Sequence, residues 1–393
     1  MATEAPAAHV GPWLVLGAVF LASVAAVMAQ FAAPPVMPLL ISGLGLDLGQ
    51  VSAIMSVFSV TGLVLALPAG LALSRFGTIA TGAAAMAAVI FGSLLGAAVP
   101  SYPVLLLGRA AQGVGVGLIG VVAPAIVADA FPPRRRGAAM GIWSMWVPVG
   151  GLLMYIIATA IAEPLGWRPV WLFVAAAGLV SLLVYVGVLG AAGATPSRST
   201  SDALAALRRG IAIRDVWRLA LVFGLASTAF GAANTFLPTF LVGERGFALA
   251  DASLASSLVL VGAGIGAGAT GIISDRLGSR RRVFVWASLV AAPLMPAAFL
   301  IGGAALPFAL VAMGMVSGAI PSAIFASVPE VVQAPDLVPA GMAAIMVGQN
   351  GGFVAGPILF AVLLPPLGWP GTAAASGVLA IAGALVGWRA RVR

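Results

Sequence analysis

Long apolar segments without charges dominate this sequence of 393 residues, which is 62% hydrophobic and only 8% charged. An ordinary soluble domain is about 25% charged, and one helical crossing of a bilayer needs about 20 apolar residues. We therefore expect an all-α membrane protein with twelve transmembrane helices. The apolar runs lie at about 13–40, 51–73, 78–99, 103–128, 137–162, 168–190, 217–241, 252–273, 283–302, 306–328, 341–364 and 370–388.

A polar segment at 191–216 divides these runs into six and six, which predicts two pseudo-symmetric six-helix bundles joined by a cytoplasmic linker. The bundles would comprise residues 1–190 and 217–393. A repeat supports this division, because the loops 70–77 and 271–278 share the pattern Gly-x-x-x-x-Arg-x-Gly and each closes an apolar run. The chain therefore has the pattern of a duplicated membrane protein.

The distribution of arginine predicts the orientation in the membrane. All 19 basic residues are arginines, and all but Arg109, Arg168 and Arg245 fall on one predicted side, in loops, in tails or at the end of a run. Short loops rich in basic residues stay in the cytoplasm. We therefore expect a multi-pass protein of the cytoplasmic (inner) membrane, embedded in the lipid bilayer, with both termini in the cytoplasm. Nucleic-acid binding is not expected, because that requires arginines clustered on one soluble face.

The missing residue types exclude several kinds of chemistry. The chain has no cysteine and one histidine, His9, so it offers neither a disulfide nor a His/Cys metal site. It has no lysine, which excludes a nucleotide-binding P-loop. No combination of nucleophile, base and acid occurs within the apolar runs. We expect no metal, no cofactor and no enzymatic activity.

Glycine patterns inside two apolar runs favour helix packing over nucleotide binding. Gly115, Gly117 and Gly120 match the dinucleotide fingerprint, but no strand precedes them and they lie inside a predicted crossing. Gly113 and Gly117 instead have the G-x-x-x-G spacing that permits close helix contact. The same interpretation applies to the glycines of the eighth run, Gly262, Gly264, Gly266 and Gly268.

The repeated loop resembles the signature of the major facilitator superfamily. The second copy matches the family pattern in full, with Asp275, Arg276 and a run of arginines, whereas the first has Ser74 before Arg75. The resemblance implies a secondary transporter that alternates between two open states, with the acid capping a helix of the opposite half near Gly137. A carboxylate suits a helix amino terminus because it accepts free N–H groups and meets the positive end of the dipole. The candidate gate residues are Ser74, Arg75, Asp275 and Arg276; alternatively, these loops only set topology.

The fourth run contains the one charge that we place inside a crossing. Its segment Leu-Leu-Leu-Gly-Arg109-Ala-Ala-Gln112-Gly is similar to a second family motif, whose arginine and glutamine face the membrane interior. An arginine at depth costs about 2.5–3.5 kcal/mol by insertion scales, so it needs a partner or a task. Arg109 would contact or attract a substrate, or it would be satisfied by backbone carbonyls or extend to the membrane surface.

The fifth run contains an aromatic pair within an imperfect motif. Residues 141–151 resemble the fifth-helix motif of exporters, but Val147 and Val149 depart from it. The segment Gly-Ile-Trp-Ser also resembles the cyanate and nitroimidazole porter branch weakly. Trp143 and Trp146 share one helix face at i, i+3, and either line the cavity or pack against another helix.

Uncharged polar residues at depth complete the candidate site. They either bind a solute or hold helices together. Because the family's cavity lies between the bundles, we expect a mostly apolar pocket near the midplane. The candidate cavity residues are Gln30, Arg109, Gln112, Trp143, Trp146, Asn234, Gln349 and Asn350.

These observations favour a transporter of a small molecule, secondary active or facilitative. Our leading hypothesis is a small organic or pseudohalide-like anion, because the buried positive charge has no acidic neighbour and no Asp or Glu lies inside a crossing. The alternative is an exporter of drugs or metabolites, and a non-transporting sensor on the same fold is a third. A coupling proton is left open, and we expect a monomer.

Overall fold

The computed structural model describes residues 10–66, 68–98, 101–192, 200–334 and 337–392, and we number its helices by crossing. In the first half they are α1 (Pro12–Phe31, continued by Pro34–Val36 and Met37–Leu44), α2 (Leu48–Leu65), α3 (Pro68–Ala98), α4 (Tyr102–Ala130), α5 (Pro133–Ser144 and Trp146–Leu165) and α6 (Arg168–Ala192). In the second half they are α7 (Arg214–Gly243), α8 (Leu249–Leu277), α9 (Arg280–Leu300), α10 (Leu306–Val332) and the segment Val338–Trp388, which contains α11 and α12.

The segment Val338–Trp388 makes two crossings, although it is helical almost throughout. Its 51 residues would extend about 76 Å as one helix, far more than the roughly 30 Å of the hydrocarbon core. The helix is broken at Gly368, whose φ of 64° lies in the left-handed region. We therefore assign α11 to 338–367 and α12 to 369–388. Eleven apolar helices among the described residues, one of them double, confirm the predicted all-α fold of twelve crossings.

The backbone breaks of the two halves repeat, as expected of a duplicated chain. Left-handed conformations cost a side chain with a Cβ, so glycine is the usual residue there. Three glycines of the first half adopt positive φ at the ends of α1 and α5 and inside α3, and each has a counterpart 201 or 202 residues later. The pairs are Gly45 and Gly246, Gly77 and Gly278, and Gly166 and Gly368.

The two halves meet along two pairs of helices. α2 packs against α11 and α5 against α8, while the end of α1 contacts α7. We use "terminal side" for the side of the molecule where Pro12 and Trp388 lie, and "distal side" for the opposite side. Near the middle of the molecule, the Ser56 hydroxyl of α2 donates to the carbonyl of Val354 in α11 at 2.9 Å.

A short amphipathic helix, Thr200–Ile211, connects the halves on the terminal side. It has basic residues in its last turn, Arg208 and Arg209, where positive charge complements the helix dipole. Its Gly210 is buried against Ala340 at the start of α11, and the helix also contacts α3, so it packs against both halves. Residues 193–199, which complete the predicted linker, lie outside the described residues.

Candidate functional site

A small cavity with an accessible volume of about 20 Å³ lies between the two halves near the middle of the helices. Aromatic and sulfur-containing side chains dominate its wall, and none of the described residues that line it is charged. Its polar groups are two amides and two hydroxyls. The lining residues are Gln30, Phe31, Met55, Phe58, Ser59, Phe230, Gly231, Asn234, Thr235, Phe353 and Pro357.

The two amides, Gln30 and Asn234, occupy equivalent places in the first helix of each half. Each precedes a proline by four residues, Pro34 in α1 and Pro238 in α7. Proline has no N–H, so the carbonyl four residues before it loses its helical hydrogen-bond partner. The cavity is therefore built where each helix has, beside an amide side chain, a carbonyl that finds no partner in its own helix.

Arg109 lies behind this cavity and is completely buried. Its Nη2 donates to the Gln30 carbonyl at 3.2 Å and its Nη1 donates to the Ala29 carbonyl at 2.6 Å, both in α1. Its Nε donates to the Ile54 carbonyl of α2 at 3.2 Å, and its guanidinium stacks 4.5 Å from the ring of Phe58. The charge is thus held by backbone carbonyls, and Arg109 does not line the cavity in this conformation.

Gln112 extends the polar network of Arg109 away from the cavity. Its Oε1 accepts from Arg109 Nη1 at 2.9 Å, and its Nε2 donates to the Ser93 hydroxyl at 2.9 Å. Ser93 in turn donates to the carbonyl of Val89 in α3. Because Gln112 is completely buried and hydrogen-bonded on both sides of its amide, it joins α3 to α4 within the first half.

The tryptophan pair packs against α1 and lies outside the cavity wall. Trp143 and Trp146 stack with ring centroids 5.4 Å apart and an angle of 17° between their planes. The indole N–H of Trp143 donates to the hydroxyl of Ser23 at 3.0 Å. Both residues are half-buried.

The two amides of α11 also lie outside the cavity wall. Asn350 donates through Nδ2 to the Met346 carbonyl of its own helix at 2.9 Å. Its amide oxygen occupies the space beside Gly62 of α2, where any side chain would collide with it. Asn350 therefore contributes to the packing between α2 and α11. Gln349, the residue before it, is half-buried.

Of the four candidate gate residues, two can be placed. The side chains of Ser74 and Asp275 lie outside the described residues, so their capping role stays a prediction. Arg75 and Arg276 are exposed on the terminal side. Arg75 lies 5.3 Å from the ring centroid of Phe76.

Sequence reasoning missed a set of hydrogen bonds that joins the halves on the distal side. The Tyr155 hydroxyl of α5 donates to the Asn234 side chain at 3.0 Å, and the Ser253 hydroxyl of α8 donates to the Tyr155 carbonyl. The Glu163 carboxylate accepts from the Ala250 N–H at the start of α8 at 3.1 Å. We call Tyr155, Glu163, Asn234, Ala250 and Ser253 the distal seam. The sequence signal that could have indicated these hydrogen bonds is the carboxylate of Glu163, at the end of an apolar run.

Two pseudo-equivalent bundles of apolar helices around a small cavity define a multi-pass membrane transporter rather than an enzyme. The family model of the Major Facilitator Superfamily matches residues 19–255 and 219–393. The chain belongs to this superfamily, which confirms the resemblance noted in the sequence.

Solved structures show the same fold over nearly the whole chain. The crystal structure of a bacterial homolog to the human lysosomal transporter Spinster, in an inward-facing and unoccupied conformation, superposes with a TM-score of 0.81. The match covers 98% of this chain and 97% of that one at 17% sequence identity. At this identity the likeness establishes the fold alone.

Curated relatives match only parts of the chain and differ in what their names state. A Multidrug resistance protein B homolog of Mycobacterium tuberculosis is 34% identical over 35% of this chain and 26% of its own length. The multidrug transporter mfsC of Aspergillus fumigatus is 29% identical over 37% of this chain and 29% of its own. Probable polyol transporter 6 of Arabidopsis thaliana is 31% identical over 36% and 28%. The chain thus matches less than a third of the length of each of these three relatives.

Proposed function

We propose that this transporter exports a small, predominantly apolar organic solute by alternating access of the cavity between its two halves. The observation that carries the proposal is the cavity wall, in which aromatic rings and a methionine surround Gln30, Ser59 and Asn234. Apolar pockets with a few placed polar groups fix the orientation of a solute while its affinity comes from apolar contact. Among the described residues no protein partner occupies the Gln30 amide or the Ser59 hydroxyl.

The composition of the cavity favours a drug-like solute over a polyol. A polyol exchanges many hydrogen bonds with water for bonds to protein, and each unpaired hydroxyl would cost about 1–3 kcal/mol. Three or four polar side chains do not suffice for that exchange. The names of the multidrug relatives and the resemblance of residues 141–151 to the exporter motif support export of such a solute.

A small organic anion is the second candidate, and Arg109 is the observation that favours it. Its donors meet carbonyls and Gln112, and none of the described residues forms an ion pair with it. Its Nη2 is 4.0 Å from the sulfur of Met55, which lines the cavity. The uncompensated charge would attract an anion through the wall. If so, Arg109→Gln abolishes uptake and Arg109→Lys retains part of it.

We extend the proposal to the orientation of the protein, its gate, its domains and its oligomeric state. The arginine-rich terminal side faces the cytoplasm, and Asp275 and Ser74 act at the gate there. The protein functions as a monomer with two six-helix bundles, residues 1–190 and 217–393, which are joined by a cytoplasmic linker at 191–216. No carboxylate lines the cavity among the described residues, so proton coupling would act through groups outside it.

Solute counterflow in proteoliposomes tests the proposed substrate class. The purified protein is reconstituted, loaded with unlabelled solute and diluted into trace labelled solute, which detects exchange without any coupling ion. The four probes are chloramphenicol as a neutral, largely apolar solute, benzoate as an anion, ethidium as a cation and sorbitol as a polyol. We expect counterflow of chloramphenicol alone. Benzoate alone would establish the second candidate, and exchange of sorbitol or ethidium alone would contradict both.

The cavity amides provide a direct prediction. Gln30→Leu removes a polar group from the cavity wall without creating a void, so the KM for chloramphenicol is expected to rise by about three- to tenfold, the value of one neutral hydrogen bond. Gln349→Leu is the matched control, because Gln349 does not line the cavity. Equal changes of KM in the two variants would show that Gln30 is not a solute contact.

A further inference from the structure

The bends of α1 and α7 leave equivalent carbonyls without a hydrogen-bond partner in their own helix. The two carbonyls find partners in other helices, and in different ways. The Gln30 carbonyl accepts from Arg109 of α4, which belongs to the same half. The Asn234 carbonyl and side-chain oxygen both face the hydroxyl of Tyr155, at 3.3 and 3.0 Å, and Tyr155 belongs to the opposite half. The first arrangement persists whenever the first half stays folded. The second depends on how the two halves are placed.

Tyr155 is held firmly between the halves. It is 1% exposed, and its ring lies 6.3 Å from that of Phe31, which lines the cavity. Its own carbonyl accepts from the Ser253 hydroxyl of α8. Tyr155 therefore contacts the cavity wall, the bend of α7 and Ser253 of α8 at once.

We propose that Tyr155 is a positioning residue that links occupancy of the cavity to opening of the distal seam. The proposal rests on the proposed function, in that Asn234 is taken as a solute contact. Alternating access requires α5 to part from α7 and α8 on the distal side, which withdraws the hydroxyl from Asn234. The carbonyl freed by Pro238 then lacks a partner, and a buried acceptor without a partner is costly.

A solute that donates a hydrogen bond to Asn234 replaces the lost hydroxyl and lowers the cost of opening. A solute without a donor leaves the carbonyl unpaired, so the distal seam stays closed. The transporter therefore selects apolar solutes that carry at least one N–H or O–H group. Such a solute shifts the equilibrium only by its differential affinity for the two states, which here is the bond to Asn234.

Electron paramagnetic resonance distances in the ligand-free protein test this link. The chain has no cysteine, so introduced cysteines are labelled alone. Labels at Leu165→Cys and Leu300→Cys report the distal side, and labels at Phe76→Cys and Leu277→Cys report the terminal side; all four side chains are exposed. Tyr155→Phe removes the hydroxyl and keeps the ring. The ratio of distal-open to distal-closed molecules is expected to rise about fivefold, the effect of one neutral hydrogen bond.

Tyr185→Phe is the matched control. Tyr185 is the other completely buried tyrosine, and its hydroxyl donates to the Thr78 carbonyl at 2.8 Å within the first half. It loses a bond of the same kind without joining the halves, so its distances should match those of the parent protein. Equal shifts in both variants, or no shift in a folded Tyr155→Phe, would overturn the proposal.

A double-mutant cycle shows whether Tyr155 acts through Asn234. Asn234→Leu should open the distal side in the same direction, because it removes the side-chain acceptor of the Tyr155 hydroxyl and leaves only the backbone carbonyl at 3.3 Å. Tyr155→Phe should then shift the distances less in Asn234→Leu than in the parent protein, since the two residues share an interaction. Additive shifts would refute the link, and so would Asn234→Leu without any shift should Tyr155→Phe fail to fold. The distances are measured without solute, so this test can be carried out even if no counterflow is detected. Conversely, a distal side that stays closed in Tyr155→Phe would not contradict the proposed substrate class.

Discussion

Arg109→Met is expected to lower the free energy of unfolding by about 3 kcal/mol or more. Methionine fills similar volume but donates nothing. The carbonyl of Gln30 is then unpaired, because Pro34 already removed its helical partner. The side-chain oxygen of Gln112 loses its donor as well. Each buried acceptor without a partner costs about 1–3 kcal/mol.

The arrangement also explains why Arg109→Lys should recover only part of this stability. A guanidinium presents five donors in a planar fork, and Arg109 uses three nitrogens to reach α1, α2 and Gln112. A lysine ammonium is one nitrogen at the end of a flexible chain and cannot meet groups on three sides. We expect an unfolding midpoint between those of the parent protein and Arg109→Met.

Thermal unfolding of the purified protein in detergent, followed by tryptophan fluorescence, measures this prediction. Arg208→Met is the matched control, since Arg208 is exposed in the linker helix and its loss should leave Tm unchanged. An unchanged Tm in Arg109→Met with loss of benzoate counterflow would contradict the structural role. That outcome would instead support the second candidate function, in which the positive charge of Arg109 attracts an anionic solute.

The extent to which the sequence predicted this fold depends on the length of its signals. Crossings were predictable because 20 apolar residues are a long pattern that only a bilayer or a large core explains. The break between the last two crossings was also visible, in the interval between 364 and 370, and the structure puts it at Gly368. Boundaries were less predictable where a helix continues beyond its apolar run, as α5 does by beginning at Pro133.

The candidate site was predicted less well, because depth in the membrane does not determine the direction of a side chain. Gln30 and Asn234 line the cavity, whereas Gln112 at similar depth is hydrogen-bonded inside the first half. The sequence did contain a sharper signal, which is the proline four residues after each of the two cavity amides. Tyr155 carried no such signal, since its role comes from a contact with the opposite half.

Gly266→Ala and Gly268→Ala are expected to change stability in opposite directions, although they make the same substitution two residues apart in α8. A Cβ at Gly266 would collide with the backbone carbonyl of Met315 in α10. A Cβ at Gly268 would meet no atom within 4 Å. In a helix, alanine is favoured over glycine by about 1 kcal/mol, so Gly268→Ala should be stabilising by up to that amount.

The cost at Gly266 is large because the obstacle is backbone and cannot rotate away. Gly262, Gly314 and Gly318 make similar contacts, so α8 and α10 approach each other through glycines on both sides. A methyl group there forces the helices apart along this whole contact, and we expect a loss of about 3 kcal/mol. The measurement is the unfolding midpoint of both variants in one detergent. Equal midpoints would show that the α8–α10 contact relaxes freely, and the glycines of α8 would then serve motion rather than close packing.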